Sequence, residues 1–346
     1  MANVAVLLKK AGYDVTVLMY HNLLFYKNLL DENDIKVDVV LSDKYFGRML
    51  KVRKYLIKSK ADVVIAFLEV PCFIACFSKI GHKKWKLVTT ERSAKLSTFT
   101  SKRNRFFNFF ERFSDAKIGN SENAMNLWRK YYPQYSNKYS VIYNHIRVGD
   151  EYVNHEHEYL SDGKLKLCVA ASYQKLKNPI LVVEAVNMLT DEQKARLELN
   201  WYGRREVVSG DSRIYDEASE KIKQYGLEEC VYLNAETDKI YDIMSKSDAV
   251  GLFSTVEGLP NTICEAMTIG KPIVMSKVSD FDVLVTDNGY LCNPNSVDSV
   301  KEALEKLLET PEEELERMGN ASKEKAKKLF SDEAITKQWI DIIENA

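Results

Sequence analysis

The residues best suited to chemistry lie in the stretch EGLPNTICEAMTIGKP (257–272), where Glu257 and Glu265 are eight positions apart among small and apolar residues. Pro260 has no backbone N–H to leave unpaired, so it suits the first turn of a helix, and Gly270 would end that helix. The free N–H groups and the positive dipole end at such a helix N-terminus bind anions, phosphate above all. The stretch therefore predicts a phosphate site with an acid on either side.

The two acids indicate that the ligand carries hydroxyls as well as phosphate. A carboxylate beside phosphate would repel it, whereas a carboxylate beside a sugar accepts hydrogen bonds from hydroxyls. Helical spacing places Glu265 on the side of Asn261 and Thr262. The alternative, that Glu257 and Glu265 are solvated surface acids, is weak for Glu265 because its neighbours are apolar. The motif predicts a diphosphate flanked by carbohydrate.

Two series of short apolar runs rich in Val and Ile must position these residues. The first series comprises 14–20, 37–42, 62–68, 86–90, 115–121 and 139–144. The second series comprises 164–172, 195–203, 230–235, 248–254, 271–276 and 289–292. Helix-length segments such as 178–189 and 297–309 separate the runs, which is the βα alternation of parallel sheets covered on both faces. The polar stretch 150–163 between the two series is predicted to be a linker.

The predicted fold class is therefore α/β, with two doubly wound, Rossmann-like parallel-sheet domains facing each other across a cleft. Their ligands should bind at the carboxyl ends of the strands. We expect an N-terminal domain at 1–155, a second domain at 156–330, and a C-terminal helix at 331–346 that packs back toward the N-terminal domain.

Charge is divided between the two halves. Residues 1–150 contain 26 Lys and Arg against 13 Asp and Glu, and the remainder contains 23 against 37. A basic half suits an anionic partner. In SKRNRFFNFFERF (101–113) bases alternate with aromatics, which fits a helix in an anionic membrane interface, or equally a core-facing aromatic stripe with a solvated basic face. Nucleic acid is disfavoured because the acidic second half would repel it.

Cysteine usage indicates a reducing compartment. The six cysteines show no metal-ligand spacing and lie among apolar or small neighbours, so we expect buried thiols and no metal site. No apolar run approaches the roughly 18 to 20 residues that a membrane-spanning helix needs, and the first twenty residues lack the order of a signal peptide. The expected location is cytoplasmic, with peripheral attachment to the inner face of the membrane as an option.

The motif resembles the signature of the retaining glycosyltransferases of family 4, the group 1 transferases of the GT-B fold. The resemblance rests on the glycine-flanked acid, the seven residues between the acids, and the following A-M-x-x-G-K-P. It extends over nearly the whole chain, through GLEECVYLNAETD, IYDIMSKSDAVGLFS, DNGYLCNPNSVDSVKEALEKLL, SENAMNLWRKYY and VIYNHI.

The resemblance implies roles for individual residues. Glu265 would accept hydrogen bonds from the ribose of a nucleotide sugar, and Glu257 would hold the donor sugar. Lys177 would neutralise the leaving diphosphate, so Glu257 and Lys177 are the expected catalytic residues. The arginine that normally accompanies this lysine is replaced by Ala171-Ser172, and Lys175 is a candidate for the missing charge. The remaining expected donor-binding residues are Ser172, Gly258, Leu259, Pro260, Asn261 and Thr262.

The implied activity is transfer of a hexose or N-acetylhexosamine, with retention, from a nucleotide-diphosphate sugar. The donor is expected to be UDP-linked, and the acceptor a lipid-linked or growing saccharide of a surface glycan such as capsule or lipopolysaccharide. No metal or other cofactor is expected. Two alternatives remain open: a degenerate GT-B protein that binds nucleotide or partners without transfer, and a GT-B sugar-nucleotide epimerase.

The first half departs from the family pattern in two places. The chain begins at the first helix, without the preceding strand and Gly-Gly loop, so we expect either an internal start within a longer protein or poor folding and low activity. A central strand missing from a parallel sheet would leave unpaired backbone on both sides. Glu91-Arg92 replaces the family's histidine after the fourth strand, so both are candidates for the acceptor cleft, against the alternative of an ordinary surface pair.

Overall fold

A computed structural model describes residues 1–22, 25–81, 84–207 and 209–345 of the chain. Short strands rich in Val, Ile and Leu alternate with helices along these residues. The strands are β1 (Thr16–Met19), β2 (Lys36–Val39), β3 (Val63–Ala66), β4 (Lys86–Glu91), β5 (Ala116–Gly119), β6 (Tyr139–Val141), β7 (Leu165–Ala170), β8 (Leu197–Tyr202), β9 (Val231–Asn234), β10 (Ala249–Leu252), β11 (Ile273–Ser276) and β12 (Gly289–Cys292).

Helices connect the strands. The α-helices are α1 (Ala2–Lys10), α2 (Lys27–Asp31), α3 (Tyr45–Lys58), α4 (Glu69–Lys79), α5 (Ser97–Thr100), α6 (Lys102–Phe109), α7 (Glu122–Tyr131), α8 (Asp150–Val153), α9 (Pro179–Asn187), α10 (Asp191–Ala195), α11 (Arg213–Tyr225), α12 (Ile240–Ser245), α13 (Asn261–Ile269), α14 (Phe281–Leu284), α15 (Val297–Leu308), α16 (Glu312–Phe330) and α17 (Asp332–Asn345). Short 3-10 turns cover Phe110–Phe113, Pro133–Lys138 and Lys175–Lys177. No described helix is both long and apolar enough to cross a membrane.

The chain divides into two compact units. The first comprises Met1–His145 with Phe330–Ala346, and the second comprises Ile146–Leu329. The division thus lies at 145/146, upstream of the expected 155/156. Helix α17 belongs to the first unit, where Ile335 and Trp339 are buried in one cluster with Val4 and Leu7 of α1. Apolar burial of this kind is the main stabilising term available to a surface helix.

The second unit is a six-stranded sheet with strand order β12-β11-β10-β7-β8-β9. Every pair in this sheet is parallel. The chain builds outward from β7 in one direction through β8 and β9, and in the other through β10, β11 and β12. The order therefore reverses between β7 and β10, which is the switch point at which ligands of such folds bind. The predicted α/β class, with its parallel strands, is confirmed.

The stretch predicted to be a linker, 150–163, is instead packed onto the second unit. His157 Nε2 lies 2.8 Å from Asp248 Oδ1, and the same carboxylate accepts the Leu160 N–H at 3.2 Å and the Lys166 N–H at 2.7 Å. Tyr159 is only 8% exposed. The linker interpretation was wrong because polar composition alone did not reveal that a buried acid, Asp248, collects these donors.

The first unit contains two parallel sheets rather than the single sheet that the βα alternation predicts. Strands β1 and β2 pair with each other, and the second sheet has the order β3-β4-β5-β6. No strand within the described residues joins β1 to β3, so each of these two strands has one edge without a strand partner there. Side chains of α1, β4 and β5 pack together in one buried cluster.

The basic and aromatic segment 101–113 has one face in the core and one face exposed. Phe107, Phe110 and Phe113 pack against the core cluster of α4, with the Phe73 and Phe107 rings stacked at 4.3 Å. On the other side, Phe106 and Phe109 are 57% and 51% exposed. A core-facing stripe is therefore present, and so is an exposed aromatic surface beside basic residues.

The six cysteines are buried free thiols, as predicted. They are Cys72, Cys76, Cys168, Cys230, Cys264 and Cys292. Burial raises the pKa of the Cys72 and Cys168 thiols to about 12. Such thiols are inert at neutral pH, because the reactive species is the thiolate.

Candidate active site

Two loops and a helix N-terminus of the second unit meet at the carboxyl ends of β7 and β10. The Thr262 hydroxyl, in the first turn of α13, donates to the carbonyl of Ala170 at the end of β7, at 3.2 Å. The Thr255 N–H, in the loop after β10, donates to the Leu176 carbonyl in the loop after β7, at 2.8 Å. These bonds place the predicted motif at the switch point of the sheet.

Helix α13 begins at Asn261, one residue later than predicted, and Pro260 precedes it. No side chain caps this N-terminus. Leu259 is buried at 5% exposure, so this segment presents backbone groups rather than a side chain to a ligand. The Gly258 carbonyl accepts a hydrogen bond from the Ser279 hydroxyl. An uncapped N-terminus retains its capacity to bind an anion. Gly270 ends the helix, as predicted, in a left-handed conformation with φ of 92°.

Lys177 and Glu257, the two residues expected to be catalytic, form an ion pair. Lys177 Nζ contacts Glu257 Oε1, and the Ser254 hydroxyl donates to the same oxygen at 2.7 Å. The side chains of Lys177 and Glu257 are only 20% and 14% exposed. The structure thus brings together groups that are 80 positions apart in the chain, and each neutralises the other.

Two residues that the sequence did not single out hold this pair in place. Ser254 is fully buried, and its carbonyl accepts the Ser276 hydroxyl at 2.6 Å. Asn178, next to Lys177, has φ of 63° and donates from Nδ2 to the carbonyls of Phe253 and Pro294 at 2.9 and 2.8 Å. Asn tolerates this left-handed conformation better than most residues. The Asn-Pro dipeptide was the available signal for this turn.

Glu265 lies further along α13, partly buried, with Tyr241 as its partner. The Tyr241 hydroxyl bonds to the Glu265 carboxylate, and burial raises the pKa of that carboxyl. Tyr241 lies in the first turn of α12, which follows β9 and therefore starts on the carboxyl side of the same sheet. Sequence spacing did not single out this tyrosine, because its position depends on strand order.

Ser172 lines a surface depression of about 410 Å³ at the ends of β7 and β8. The lining residues are Ala170, Ala171, Ser172, Gln174, Tyr202, Gly203, Arg204, Val207 and Glu236. Gln174 Nε2 donates to the Ser172 hydroxyl at 2.9 Å. Lys175, the expected source of the missing charge, is exposed on the 3-10 turn and is not among the residues that line the depression.

In the first unit, Glu91 and Arg92 are not an ordinary surface pair. Glu91 Oε1 accepts the N–H groups of Arg92 and Ser93 at 2.9 and 3.0 Å, and Oε2 accepts Trp128 Nε1 at 3.0 Å. Arg92 donates to Asn144 Oδ1 at 2.6 Å. Burial raises the pKa of Glu91 and lowers that of Arg92 to about 10. Glu91 therefore shapes the loop after β4, and Arg92 stays charged at neutral pH.

Two buried oxygens near these residues lack hydrogen-bond partners among the described residues. They are Thr90 Oγ1 and Asn120 Oδ1, in residues that are 3% and 4% exposed at the carboxyl ends of β4 and β5. Buried polar atoms are nearly always paired in folded proteins, so an unpaired one suggests a ligand or an ordered water. Neither residue stands out by sequence pattern.

The charges of the second-unit site suit a phosphate ester of a sugar. The N-terminus of α13 and Lys177 are positive, and Glu257 and Glu265 are acceptors for hydroxyls. Within the described ranges, no group of three or more His, Cys, Asp or Glu side chains is placed to hold a metal ion. The arrangement can bind a diphosphate and can accept hydrogen bonds from hydroxyl groups on either side of it.

Known structures and proteins share this architecture. The structure of Anabaena HepE in complex with UDP superimposes with a TM-score of 0.83 at 18% identity, covering 100% of this chain and 96% of HepE. At the sequence level, a Campylobacter jejuni protein is 23% identical over 351 residues, 96% of this chain and 90% of its own length. It is named GalNAc-alpha-(1->4)-GalNAc-alpha-(1->3)-diNAcBac-PP-undecaprenol alpha-1,4-N-acetyl-D-galactosaminyltransferase.

A partial match comes from the amylovoran biosynthesis glycosyltransferase AmsD of Erwinia amylovora, 27% identical over 143 residues, 41% of this chain and 40% of its own. Two family profiles match in succession and nearly cover the chain. Residues 1–149 match "Glycosyltransferase Family 4", and residues 153–325 match "Glycosyl transferases group 1". With its two Rossmann-like units and neighbours of the GT-B fold, the chain belongs to glycosyltransferase family 4.

Proposed function

We propose that the protein is a retaining glycosyltransferase that moves a hexose or N-acetylhexosamine from UDP to a lipid-linked or saccharide acceptor in surface glycan synthesis. The observation that carries the proposal is the Lys177–Glu257 contact beside the uncapped N-terminus of α13. The relatives support it, since the C. jejuni protein is named for a PP-undecaprenol acceptor and HepE binds UDP.

In the proposed complex, the diphosphate lies at the N-terminus of α13. Its negative charge draws Lys177 away from Glu257, which frees the Glu257 carboxylate to accept hydroxyls of the donor sugar. Glu265 accepts from the ribose on the other side, in an orientation that the Tyr241 hydroxyl maintains. Each acid thus contacts a neutral group, and the phosphates contact only positive groups.

The chemical step breaks the bond between the sugar C1 and the phosphate oxygen, and the electron pair leaves with the nucleoside diphosphate. The acceptor hydroxyl attacks C1 from the face that the phosphate leaves, so configuration is retained, and its proton passes to the departing phosphate oxygen. Lys177 and the α13 N–H groups stabilise the charge that develops there, each such group contributing about 2 to 4 kcal/mol. In this proposal Lys177 and the α13 N–H groups supply the positive charge that stabilises the leaving diphosphate, and no metal or cofactor is needed.

We place the acceptor in the first unit, near Arg92. The guanidinium is charged and well positioned by Asn144 and by the Phe67 ring, over which it lies at 5.0 Å. The unpaired oxygens of Thr90 and Asn120, at the ends of neighbouring strands, offer acceptors for hydroxyl groups. Arginine suits the phosphate of a lipid-linked acceptor better than lysine would, because its planar fork binds two oxygens at once.

A second candidate function is nucleotide binding without transfer, and sugar-nucleotide epimerisation is a third. The split of the first unit into two sheets and the absence of a cation at Ala171-Ser172 both favour the second candidate. All three candidates predict binding of UDP, so binding cannot separate them. Transfer to an acceptor separates the first from the others, and epimerised free donor identifies the third.

The test is a transfer assay with purified protein. UDP-hexoses and UDP-N-acetylhexosamines are screened for a rise in unfolding temperature, because a ligand that binds only the folded state stabilises it. Donors that stabilise are then incubated with lipid-linked saccharide acceptors, and the anomeric configuration of the product is read by NMR. We expect an α-linked product from an α-linked donor. An inverted product, or stabilisation by no UDP-sugar, would contradict the proposal.

We also propose that the protein attaches to anionic membrane on its cytoplasmic face through the exposed side of α6. Lys102, Arg105, Phe106 and Phe109 line a depression of about 470 Å³ there, and the Arg112 guanidinium lies 3.5 Å from the centre of the Phe109 ring. Aromatic rings beside bases suit a lipid interface. The buried free thiols support a reducing compartment.

Replacing Phe106 and Phe109 with Ser should weaken binding to vesicles of phosphatidylglycerol and phosphatidylcholine by about tenfold or more, because two aromatic side chains lose their burial. Flotation of the protein with the vesicles measures this. The control is Met188→Ser, which removes an apolar side chain that is 46% exposed on the second unit. Equal flotation of the double variant and the control would exclude α6 as the attachment surface.

A further inference from the structure

We propose that Arg204, at the end of β8, supplies the second positive charge for the donor's diphosphate. The inference rests on the proposed function and names a residue of the same site. The charged side chains already described provide too little positive charge for a diphosphate. Lys177 is matched by Glu257, and Glu265 adds a further carboxylate, so a diphosphate would enter a site with more negative than positive side chains. A second cation close to the α13 N-terminus would remove this repulsion.

The position expected to hold that cation, Ala171-Ser172, is in direct contact with the loop that carries Arg204. The Tyr173 N–H donates to the Arg204 carbonyl at 3.0 Å. The backbones approach so closely that a Cβ on Gly203 would lie 2.0 Å from the Ala171 carbonyl oxygen. A side chain at 203 is thereby excluded, and Arg204 is the next residue along the chain that lines the depression beside Ser172.

Arg204 and Ser172 line the same depression, and this depression adjoins the phosphate-binding end of α13. Its floor includes Ala170, whose carbonyl accepts the Thr262 hydroxyl in the first turn of α13 at 3.2 Å. One hydrogen bond thus joins a residue that lines the depression to the first turn of α13.

Arg204 can be recruited at little cost. Its present partner is Glu236, with Nε 3.1 Å from Oε2, and both side chains are about 60% exposed. Exposed ion pairs of this kind contribute little to stability. A diphosphate offers the guanidinium two oxygens at once and more charge than a carboxylate does. Donor binding should therefore replace the Glu236 contact.

The neighbouring basic residues are less suitable. Arg205 lies over the Tyr215 ring at 4.3 Å, and it is not among the residues that line the depression. Lys175 is likewise outside the lining and exposed. Among the described residues that line the depression, Arg204 is the one with a positive charge. This distinguishes it from Lys175, the candidate chosen from the sequence.

The experiment compares the binding of UDP and of uridine, which lacks the phosphates, to Arg204→Gln. We expect the variant to bind UDP about 10- to 100-fold more weakly, the loss typical of a hydrogen bond to a charged group, with uridine affinity unchanged. Glu236→Gln should bind UDP more tightly, because it releases the arginine. Arg205→Gln is the matched control that removes the same charge nearby, and it should bind UDP within about twofold of the wild type. Lys175→Gln tests the other candidate for this charge, and a loss of UDP affinity in that variant but not in Arg204→Gln would contradict the inference. Unfolding temperatures show whether each variant is folded.

The outcomes separate this inference from the proposed function. If Lys177→Gln weakens UDP binding and Arg204→Gln does not, Arg204 has no contact with the diphosphate and the inference alone fails. It fails as well if Arg204→Gln weakens uridine and UDP equally, since the arginine then contacts the base. If the wild type binds no nucleoside diphosphate, the proposed function and the inference fail together.

Discussion

Lys177→Ala should lower the rate constant of transfer by about 10² to 10³-fold, because it removes a preorganised positive charge from the leaving diphosphate. The expected loss is large since Lys177 is only 20% exposed and so acts in a partly desolvated environment. The variant also leaves Glu257 without its cation, which destabilises a poorly exposed acid. Comparing the double variant Lys177→Ala/Glu257→Gln with Glu257→Gln alone removes that unpaired charge from the comparison and isolates the contribution of Lys177. The readout is kcat at saturating donor.

The matched control for this prediction is Lys175→Ala, which removes the same charge two positions away on an exposed part of the turn. Its kcat should remain within about twofold of the wild type, because exposed charges are screened by solvent. If Lys175→Ala loses as much activity as Lys177→Ala, the loop contributes general positive charge, and the specific role of Lys177 is wrong. Unchanged kcat in both double and single Lys177 variants would exclude it from catalysis.

Glu265→Gln should weaken the binding of UDP by about 10- to 100-fold while leaving the protein as stable as the wild type or more so. The loss reflects hydrogen bonds from the ribose to a charged acceptor. Stability is preserved because burial already disfavours the charged form of this carboxyl, as its raised pKa indicates. Titration calorimetry with UDP and with 2′-deoxy-UDP measures the effect.

The comparison of the two nucleotides tests the specific contact. The wild type should prefer UDP over 2′-deoxy-UDP, and Glu265→Gln should lose most of that preference, because the missing hydroxyl and the altered carboxylate affect the same bond. Tyr241→Phe is the control for an indirect effect, and it should weaken UDP binding by less than about tenfold, since it removes only a positioning contact. A preference that persists in Glu265→Gln would show that this acid does not contact the ribose.

The second unit was largely predictable because its signals are local. Runs of β-branched residues mark strands, and Pro260 and Gly270 mark the ends of α13 within one residue. The approach of Lys177 to Glu257 could be expected only from the family resemblance, as 80 positions separate them. Tyr241 and Arg204 could not be selected, because their positions depend on where β9 and β8 lie in the sheet. Ser254 lies only three positions before Glu257, but its hydroxyl contact with that carboxylate depends on the conformation of the loop after β10.

The first unit was less predictable because its features depend on long-range pairing. Alternating strands and helices do not reveal that β1-β2 and β3-β4-β5-β6 are separate sheets, since strand pairing is a tertiary property. Periodicity likewise left two readings of 101–113, and only the packing of Phe73 against Phe107 assigned one face to the core. The unpaired Thr90 and Asn120 oxygens carry no sequence signature at all.

Asp248 has a consequence for the alignment of the whole second unit. Its carboxylate bonds to the Lys166 N–H near the start of β7, while Asp248 itself directly precedes β10. The loops at the far ends of these two strands carry Lys177 and Glu257, and those ends are about 13 to 20 Å away at roughly 3.3 Å per residue. A shift of β7 past β10 by one position would displace those ends by about 3.3 Å and turn each side chain to the opposite face. The buried Asp248 carboxylate at one end of the sheet thereby fixes the register that aligns Lys177 with Glu257 at the other end.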